Sequence, residues 1–252
     1  MRKLLISVLL VFATYMMADA QLVWEERFAY ESGTALEGQG GWKLGTGKWT
    51  SGDSPIVSDR KIRYGGYASS ESGSVAIGGT GINRITYRTI DEKGIRRGTV
   101  YVAMLINLES VDGTRDFITL DSGTGDSPKA KVFVRKNGSG FSVGASMSDA
   151  KHVTYSRGLA FRSPHLIVLK YSFVEKAKDA KVDNNDRLDL FVNPVPPLPE
   201  SKQEAVKLRR RKEDASADMP YIKAVNIRQS GVKGIICGMR VAKSWNDAVA
   251  GN

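Results

Sequence analysis

Histidine and cysteine are nearly absent from this chain: His152 and His165 are the only two histidines and Cys237 is the lone cysteine among 252 residues. One cysteine cannot close an internal disulfide, although an exported chain would be free to use several. Two histidines and one cysteine, far apart in sequence, do not match a zinc site, which wants clustered thiolate and imidazole ligands. A Ser-His catalyst is disfavoured on the same ground. His165 opens an apolar run directly after Pro164, His152 lies between two extended segments, and no G-x-S-x-G elbow occurs. Cys237 sits inside the run Gly234-Ile235-Ile236-Cys237-Gly238-Met239 and reads as a small core residue, not a reactive thiol.

Acids at alternate positions of one strand, the layout that aims several carboxylates into one groove for glycoside hydrolysis, are also missing. Asp186 and Asp189 are three apart, so a strand would turn them to opposite faces. Glu25 and Glu26 are adjacent and diverge likewise. The glycine clusters Gly78-Gly79-Thr80-Gly81 and Gly123-Thr124-Gly125 lack the Lys-Ser/Thr and the following helix of a phosphate-binding loop, and read as turns. Proline is sparse, eight in all, and Pro194, Pro196, Pro197 and Pro199 fall in one short stretch.

The one long apolar run is at the N-terminus. Arg2 and Lys3 precede residues 4–17, and Ala18-Asp19-Ala20 closes the segment with an A-x-A ending. This is the layout of a secretory signal peptide cleaved before Gln21, and the run is short for a membrane span, which needs about 20 residues. Gln21 is not a cysteine, so no bacterial-type lipid anchor is indicated. Cleavage leaves 232 residues with 35 basic and 26 acidic side chains, a net +9, and no transmembrane span. A basic protein outside the cytoplasm meets acidic polysaccharide, lipopolysaccharide phosphates or nucleic acid released from cells; simple solubility is the alternative use of the charge. Nothing in the chain directs it to a specific nucleic acid. The destination expected is the periplasm, the outer-membrane surface or the medium.

Beyond the leader the sequence reads as strands and turns. Residues 99–108 form a long apolar strand with Val100, Val102, Met104 and Ile106 on one face. Residues 22–28, 56–64, 84–88, 116–120, 130–135, 140–146, 153–156, 165–174, 187–192, 221–228 and 234–242 are read as extended, and Asn137-Gly138 marks a hairpin. Strands at this spacing with glycine-rich turns predict an all-β fold, a sandwich or a barrel, as a single domain over residues 21–252. Residues 194–219 interrupt the pattern as a Pro- and charge-rich surface insertion, extended first and then briefly helical over 201–213.

Three constellations are candidate binding sites. Trp42, Trp49, Tyr64 and Tyr67 lie in a Gly/Ser-rich region and read either as a sugar-stacking platform or as plugs beneath the loops. Trp24 belongs to the core or rim of the first strand, and Trp245 folds back to close one end of the sandwich. Lys207, Arg209, Arg210, Arg211 and Lys212 concentrate positive charge in the insertion, as an anion-docking loop, a processing loop or a merely solvated one. Asp183, Asn185 and Asp186 form an oxygen-rich turn suited to calcium, with Asp112, Asp116, Asp121 and Asp126 flanking other loops. The EF-hand template fails there because Arg187 takes a ligand position, and Asx-rich turns need no metal to explain them.

Several segments together resemble a known family. Phe28-Ala29-Tyr30 followed by Gly33, Leu36, Gly38 and Gly41-Trp42 is similar to the N-terminal signature of exported Bacteroidetes proteins with a concanavalin A-like, laminin-G-like domain. Tyr64-Gly65-Gly66-Tyr67, Val100-Tyr101-Val102-Ala103, 131–135, 165–171, 190–194 and 239–245 continue the likeness along most of the chain. The resemblance implies a two-sheet antiparallel β-sandwich of the jelly-roll kind and transfers no catalytic residue. The insertion after Pro194 departs from the family pattern. The function expected is a non-catalytic binding or surface-assembly module, for acidic glycans or envelope proteins; a polysaccharide-degrading hydrolase or lyase and a structural subunit of an envelope or secretion complex are the alternatives.

Overall fold

The computed structural model describes residues 21–81, 83–126, 128–176, 178, 184–207 and 218–251. Sixteen strands follow in order: β1 (Leu22–Glu26), β2 (Trp42–Leu44), β3 (Thr50–Ser51), β4 (Ile56–Ser58), β5 (Ser74–Ile77), β6 (Asn83–Thr89), β7 (Thr99–Val111), β8 (Thr114–Asp121), β9 (Lys129–Asn137), β10 (Gly140–Ser146), β11 (Thr154–Tyr155), β12 (His165–Ser172), β13 (Arg187–Val192), β14 (Ala205–Lys207), β15 (Ala224–Gln229) and β16 (Val232–Ala242). A short helix α1 (Trp245–Val249) ends the chain. All pairings between these strands are antiparallel. The first sheet runs β14-β13-β12-β7-β16-β5-β4, with β1 added to β16. The second runs β11-β10-β9-β8-β15-β6-β2, with β3 added to β6. The molecule is the expected two-sheet β-sandwich of jelly-roll kind.

The long apolar runs of the sequence have a physical explanation in this arrangement. Val100, Val102, Met104 and Ile106 of β7 point into the space between the sheets, with Ile167 and Leu169 of β12 and Ile236, Met239 and Val241 of β16. The intervening Tyr101, Ala103 and Leu105 are also buried, because a second apolar cluster covers the outward side of the first sheet. Ile62, Tyr67, Phe191, Trp245, Ala248 and Val249 form that cover. A strand buried on both faces reads as continuously apolar, not as alternating. Each such large side chain removed from water contributes on the order of 1.5–3 kcal/mol.

The turn chemistry is local. Asn137 pairs with Gly140, so Gly138 and Ser139 make the hairpin, and Gly138 takes φ of 58°, a conformation glycine adopts without strain. Ser244 caps α1: its hydroxyl accepts from the Asp247 backbone N–H at 3.2 Å. Four short strands escape the sequence pattern: β2, β3, β5 and β14. The helix expected over 201–213 is absent among the described residues; Glu200–Lys202 is one 3-10 turn and Ala205–Lys207 is an edge strand on β13. Pairing with Asp189, Leu190 and Phe191 outweighs the local helix preference there. Trp245 closes the outward face of the first sheet, against Tyr101 and Phe191, not the end of the sandwich.

Candidate functional site

Among the described residues the outward face of the first sheet is largely under an apolar cover, whereas that of the second is rich in polar and charged side chains. Inward positions of this sheet carry Ile118, Leu120, Val132, Val134, Val143, Val225 and Ile227. The alternate positions therefore face out. They are Ile85 and Tyr87 on β6, Asn226 and Arg228 on β15, Asp116 and Thr119 on β8, Lys131, Phe133 and Arg135 on β9, Ser142 and Ser146 on β10, and Tyr155 on β11. Register places Tyr87, Asn226 and Thr119 in one row. It places Asp116, Phe133, Gly144 and Tyr155 in another. From Arg228 to Tyr155 the face crosses four strand spacings, about 19 Å at roughly 4.8 Å each.

The centre of this face is a hydrogen-bonded charge network. Arg228 pairs with Asp116, both largely buried, and the Arg228 guanidinium lies over the Trp49 ring, 4.5 Å from its centroid. The Lys48 ammonium is 4.9 Å from the same ring. Trp49 is half-buried against Ile85, Tyr87 and Ala224, and its Nε1 donates to the Asp126 carbonyl at 3.2 Å. Asn226, fully buried, donates through Nδ2 to Thr119 Oγ1 at 3.0 Å and Asp121 Oδ2 at 3.3 Å. Its Oδ1, and Oδ2 of Asp116, accept nothing among the described residues. Lys131 stands beside them. Burial pushes its ammonium below the usual lysine range; Asp116 and Asp149 oppose that, and the Arg228 and Lys48 charges add to it. At the far edge the Arg135 guanidinium stacks 4.0 Å from the Tyr155 ring centroid, and burial raises the Tyr155 phenol. Lys43, Lys48 and Arg135 are exposed, while Arg228 and Lys131 are partly so.

The four aromatics named from sequence do not come together. Trp42 is buried in the main core, stacked on Phe28 at 6.1 Å and edge-on to Trp24 at 5.9 Å. Its Nε1 donates to Glu26 at 2.9 Å. Tyr67 is buried in the second core, its hydroxyl donating to the Gly238 carbonyl at 2.9 Å. These two are plugs, because apolar area inside outweighs any use outside. Tyr64 is half-buried and donates to the Pro194 carbonyl at 3.0 Å, on the first sheet's side. Trp49 alone belongs to the polar face.

The oxygen-rich turn is engaged in holding the chain. Asp186 accepts from the Tyr171 hydroxyl at 2.5 Å and the Val174 N–H at 2.7 Å. Asn185 donates through Nδ2 to the Glu175 carbonyl at 2.8 Å. Among the described residues no group of three or more acidic, His or Cys side chains is placed to hold a metal. Asp183 lies outside the described residues, as do Arg209, Arg210, Arg211 and Lys212. Lys207 ends β14 opposite Asp189. His165 is structural: its Nδ1 meets the Asn193 amide at 3.0 Å and its Nε2 the Ala160 carbonyl at 2.9 Å.

Sequence reading missed Asp116, Lys131, Arg135, Asn226 and Arg228 as a group. The signal was present in Lys131-x-Phe133-x-Arg135 and Asn226-x-Arg228, polar residues at alternate positions of otherwise apolar strands. That alternation marks a face turned away from the core, but does not say which strands are neighbours.

No protein-family model and no curated protein matches the chain. Among solved structures it is similar to "Cellulose induced protein, Cip1", at 13% identity over 88% of this chain and 97% of that one, with a TM-score of 0.49. It is also similar to the receptor binding domain of botulinum neurotoxin mosaic serotype C/D, at 9% identity over 89% and 48%, with a TM-score of 0.48. A third structure, titled "Prominent members of the human gut microbiota express endo-acting O-glycanases to initiate mucin breakdown", gives 10% identity over 88% and 98%, with a TM-score of 0.45. At this level of likeness the fold and the site rest on this chain's own residues.

Proposed function

We propose that the protein is an exported, non-catalytic binding module that holds an acidic glycan across the outward face of its second sheet. The observation that carries this reading is the row from Lys48 and Trp49 through Arg228, Asp116 and Lys131 to Arg135 and Tyr155 on the outward face of the second sheet. A hydroxyl-rich chain needs donors and acceptors spread along its length and aromatic surface for its ring faces. Lys48 and Arg135, exposed, and Lys131, partly exposed, supply donors along it. Trp49 and Tyr155 supply the rings. Five cations along the row, Lys43, Lys48, Arg228, Lys131 and Arg135, favour carboxylate or sulfate groups on the sugar. The leader over residues 1–20 and the resemblance to exported Bacteroidetes proteins support a periplasmic, outer-membrane or secreted location. Among the described residues no helix is long and apolar enough to cross a membrane.

The test is affinity electrophoresis and calorimetry with polygalacturonate and with an uncharged galactan, over a salt series. Polygalacturonate is expected to bind, with affinity falling as salt rises. Lys131→Gln and Arg135→Gln should each weaken it by about 5- to 20-fold, an ordinary loss for one charge-assisted contact. Equal binding of both polymers, or full affinity in the Lys131→Gln/Arg135→Gln double variant, would rule the reading out.

A further inference from the structure

A second cationic cavity lies where β7 begins and β12 ends. It has a volume of about 360 Å³ and is lined by Arg96, Arg97, Phe173, Glu175, Lys176 and Asp186, among others. It shares no residue with the polar face of the second sheet. The backbone around it is tied down: the Phe173 N–H donates to the Gly98 carbonyl at 3.0 Å, joining the two segments that carry the cations. Asp186, at its base, is 7% exposed and engaged by the Tyr171 hydroxyl and the Val174 N–H. Those donors stabilise the ionised Asp186 carboxylate, and the three cations Arg96, Arg97 and Lys176 outnumber the two acids Glu175 and Asp186 in the lining.

Arg96, Arg97 and Lys176 are all exposed, and among the described residues none of them is in a salt bridge. Glu175 lines the same cavity without pairing with any of them. The Arg96 guanidinium is held 4.4 Å from the Tyr221 ring centroid, which fixes its plane and lowers the entropy lost when it binds. The Phe173 ring, packed on Tyr171 at 4.9 Å, is half-buried and gives the cavity an apolar wall. Three cations lining one cavity with an aromatic wall match an oxyanion with several free oxygens, joined to a flat or apolar body. A guanidinium can bind two of those oxygens in parallel while an ammonium takes the third.

We propose that this cavity is an anion site for a soluble phosphate or sulfate monoester of a ring-bearing molecule, independent of the glycan face. The test is a nuclear magnetic resonance titration of the isotopically labelled protein with phenyl phosphate, inorganic phosphate and phenol at physiological salt. Phenyl phosphate is expected to shift the amides of residues 96–98 and 173–176 saturably, inorganic phosphate the same amides more weakly, and phenol none. The double variant Arg97→Ser/Lys176→Ser should weaken phenyl phosphate by about tenfold or more, and Glu175→Gln should tighten it by about threefold. All three side chains are exposed, so the variants keep the fold, which the unchanged remainder of the spectrum verifies. Trp49→Ala should leave phenyl phosphate binding unchanged whether or not polygalacturonate binding survives, which separates the two proposals. Phenol binding as tightly as phenyl phosphate, unchanged affinity in the double variant, or retention only on phosphatidic acid vesicles with no response to phenyl phosphate would overturn it.

Discussion

Trp42 and Glu26 show how much one buried pair of side chains decides. The Glu26 carboxylate, 6% exposed, accepts from the Phe28 N–H at 2.6 Å, the Tyr30 hydroxyl at 2.8 Å and Trp42 Nε1 at 2.9 Å. Burial and the carboxylate beside it hold the Tyr30 phenol well above the usual tyrosine range. Trp42→Ala should cost about 3–5 kcal/mol, from lost area and the cavity left behind, and should lower the melting temperature without a specific effect on glycan binding. Glu25, the next residue, turns the other way to Arg240 and the Ser69 hydroxyl, at 2.8 and 2.5 Å. Burial alone would raise its pKa, but the Ser69 hydrogen bond and the Arg27 and Arg240 charges outweigh that and leave it below 4.5. A lowered carboxylate pKa contributes stability that is full above the unfolded value and is lost as pH falls through the folded one. Melting curves between about pH 6 and pH 3 should therefore show a smaller acid-induced loss in Glu25→Gln than in the parent chain. An equal loss would mean that the charge at Glu25 does not contribute.

Strands and their connections set the next level. Asp218 Oδ2 accepts from the backbone N–H of Asn185 at 2.7 Å and of Asp186 at 3.0 Å, and the Tyr171 hydroxyl accepts from the Met219 N–H at 3.2 Å. The end of the insertion is thereby locked to the start of β13 and the end of β12. Its beginning is locked too: Glu200 accepts from the Tyr101 hydroxyl at 2.6 Å and from Lys170 at 2.5 Å. Glu200 and Asp218, near the two ends of the insertion, are thus tied to the core strands. Asp218→Ala should destabilise the protein by about 1–3 kcal/mol, because two buried N–H groups lose their acceptor. An unchanged denaturant midpoint would refute this. Gly144 is a second constraint. A Cβ there would collide with Val153 Cγ1 and the Thr154 carbonyl, so Gly144→Val should push β11 off β10 and displace Tyr155. Loss of polygalacturonate binding with most stability retained is the expected outcome, read by calorimetry and thermal melting together.

For the molecule as a whole, the charge pattern couples binding to pH. An anionic ligand favours protonated Lys131, whose pKa lies below 10.5. Affinity for polygalacturonate should fall as pH rises through that lowered value, before ordinary lysines titrate, and Lys131→Arg should move the fall to higher pH. Identical pH profiles for the parent and Lys131→Arg would remove Lys131 from the site. The strand pattern was legible because the alternation of side chains along an extended chain is a local property: β10 and β13 match the segments read from sequence end to end. β14 was not legible, since only its pairing with β13 makes three residues extended. Trp49 was legible as an aromatic on a loop, whereas its partner Arg228 comes from the far end of the chain. Composition and period two were enough by themselves to determine an all-β fold with apolar interior rows, and the family likeness added the two-sheet sandwich. Which outward face lies under an apolar cover and which stays polar was decided only by tertiary structure. The cover is assembled from residues 62–67 and 245–249, and a local pattern carries no information about contacts made across the whole length of a chain.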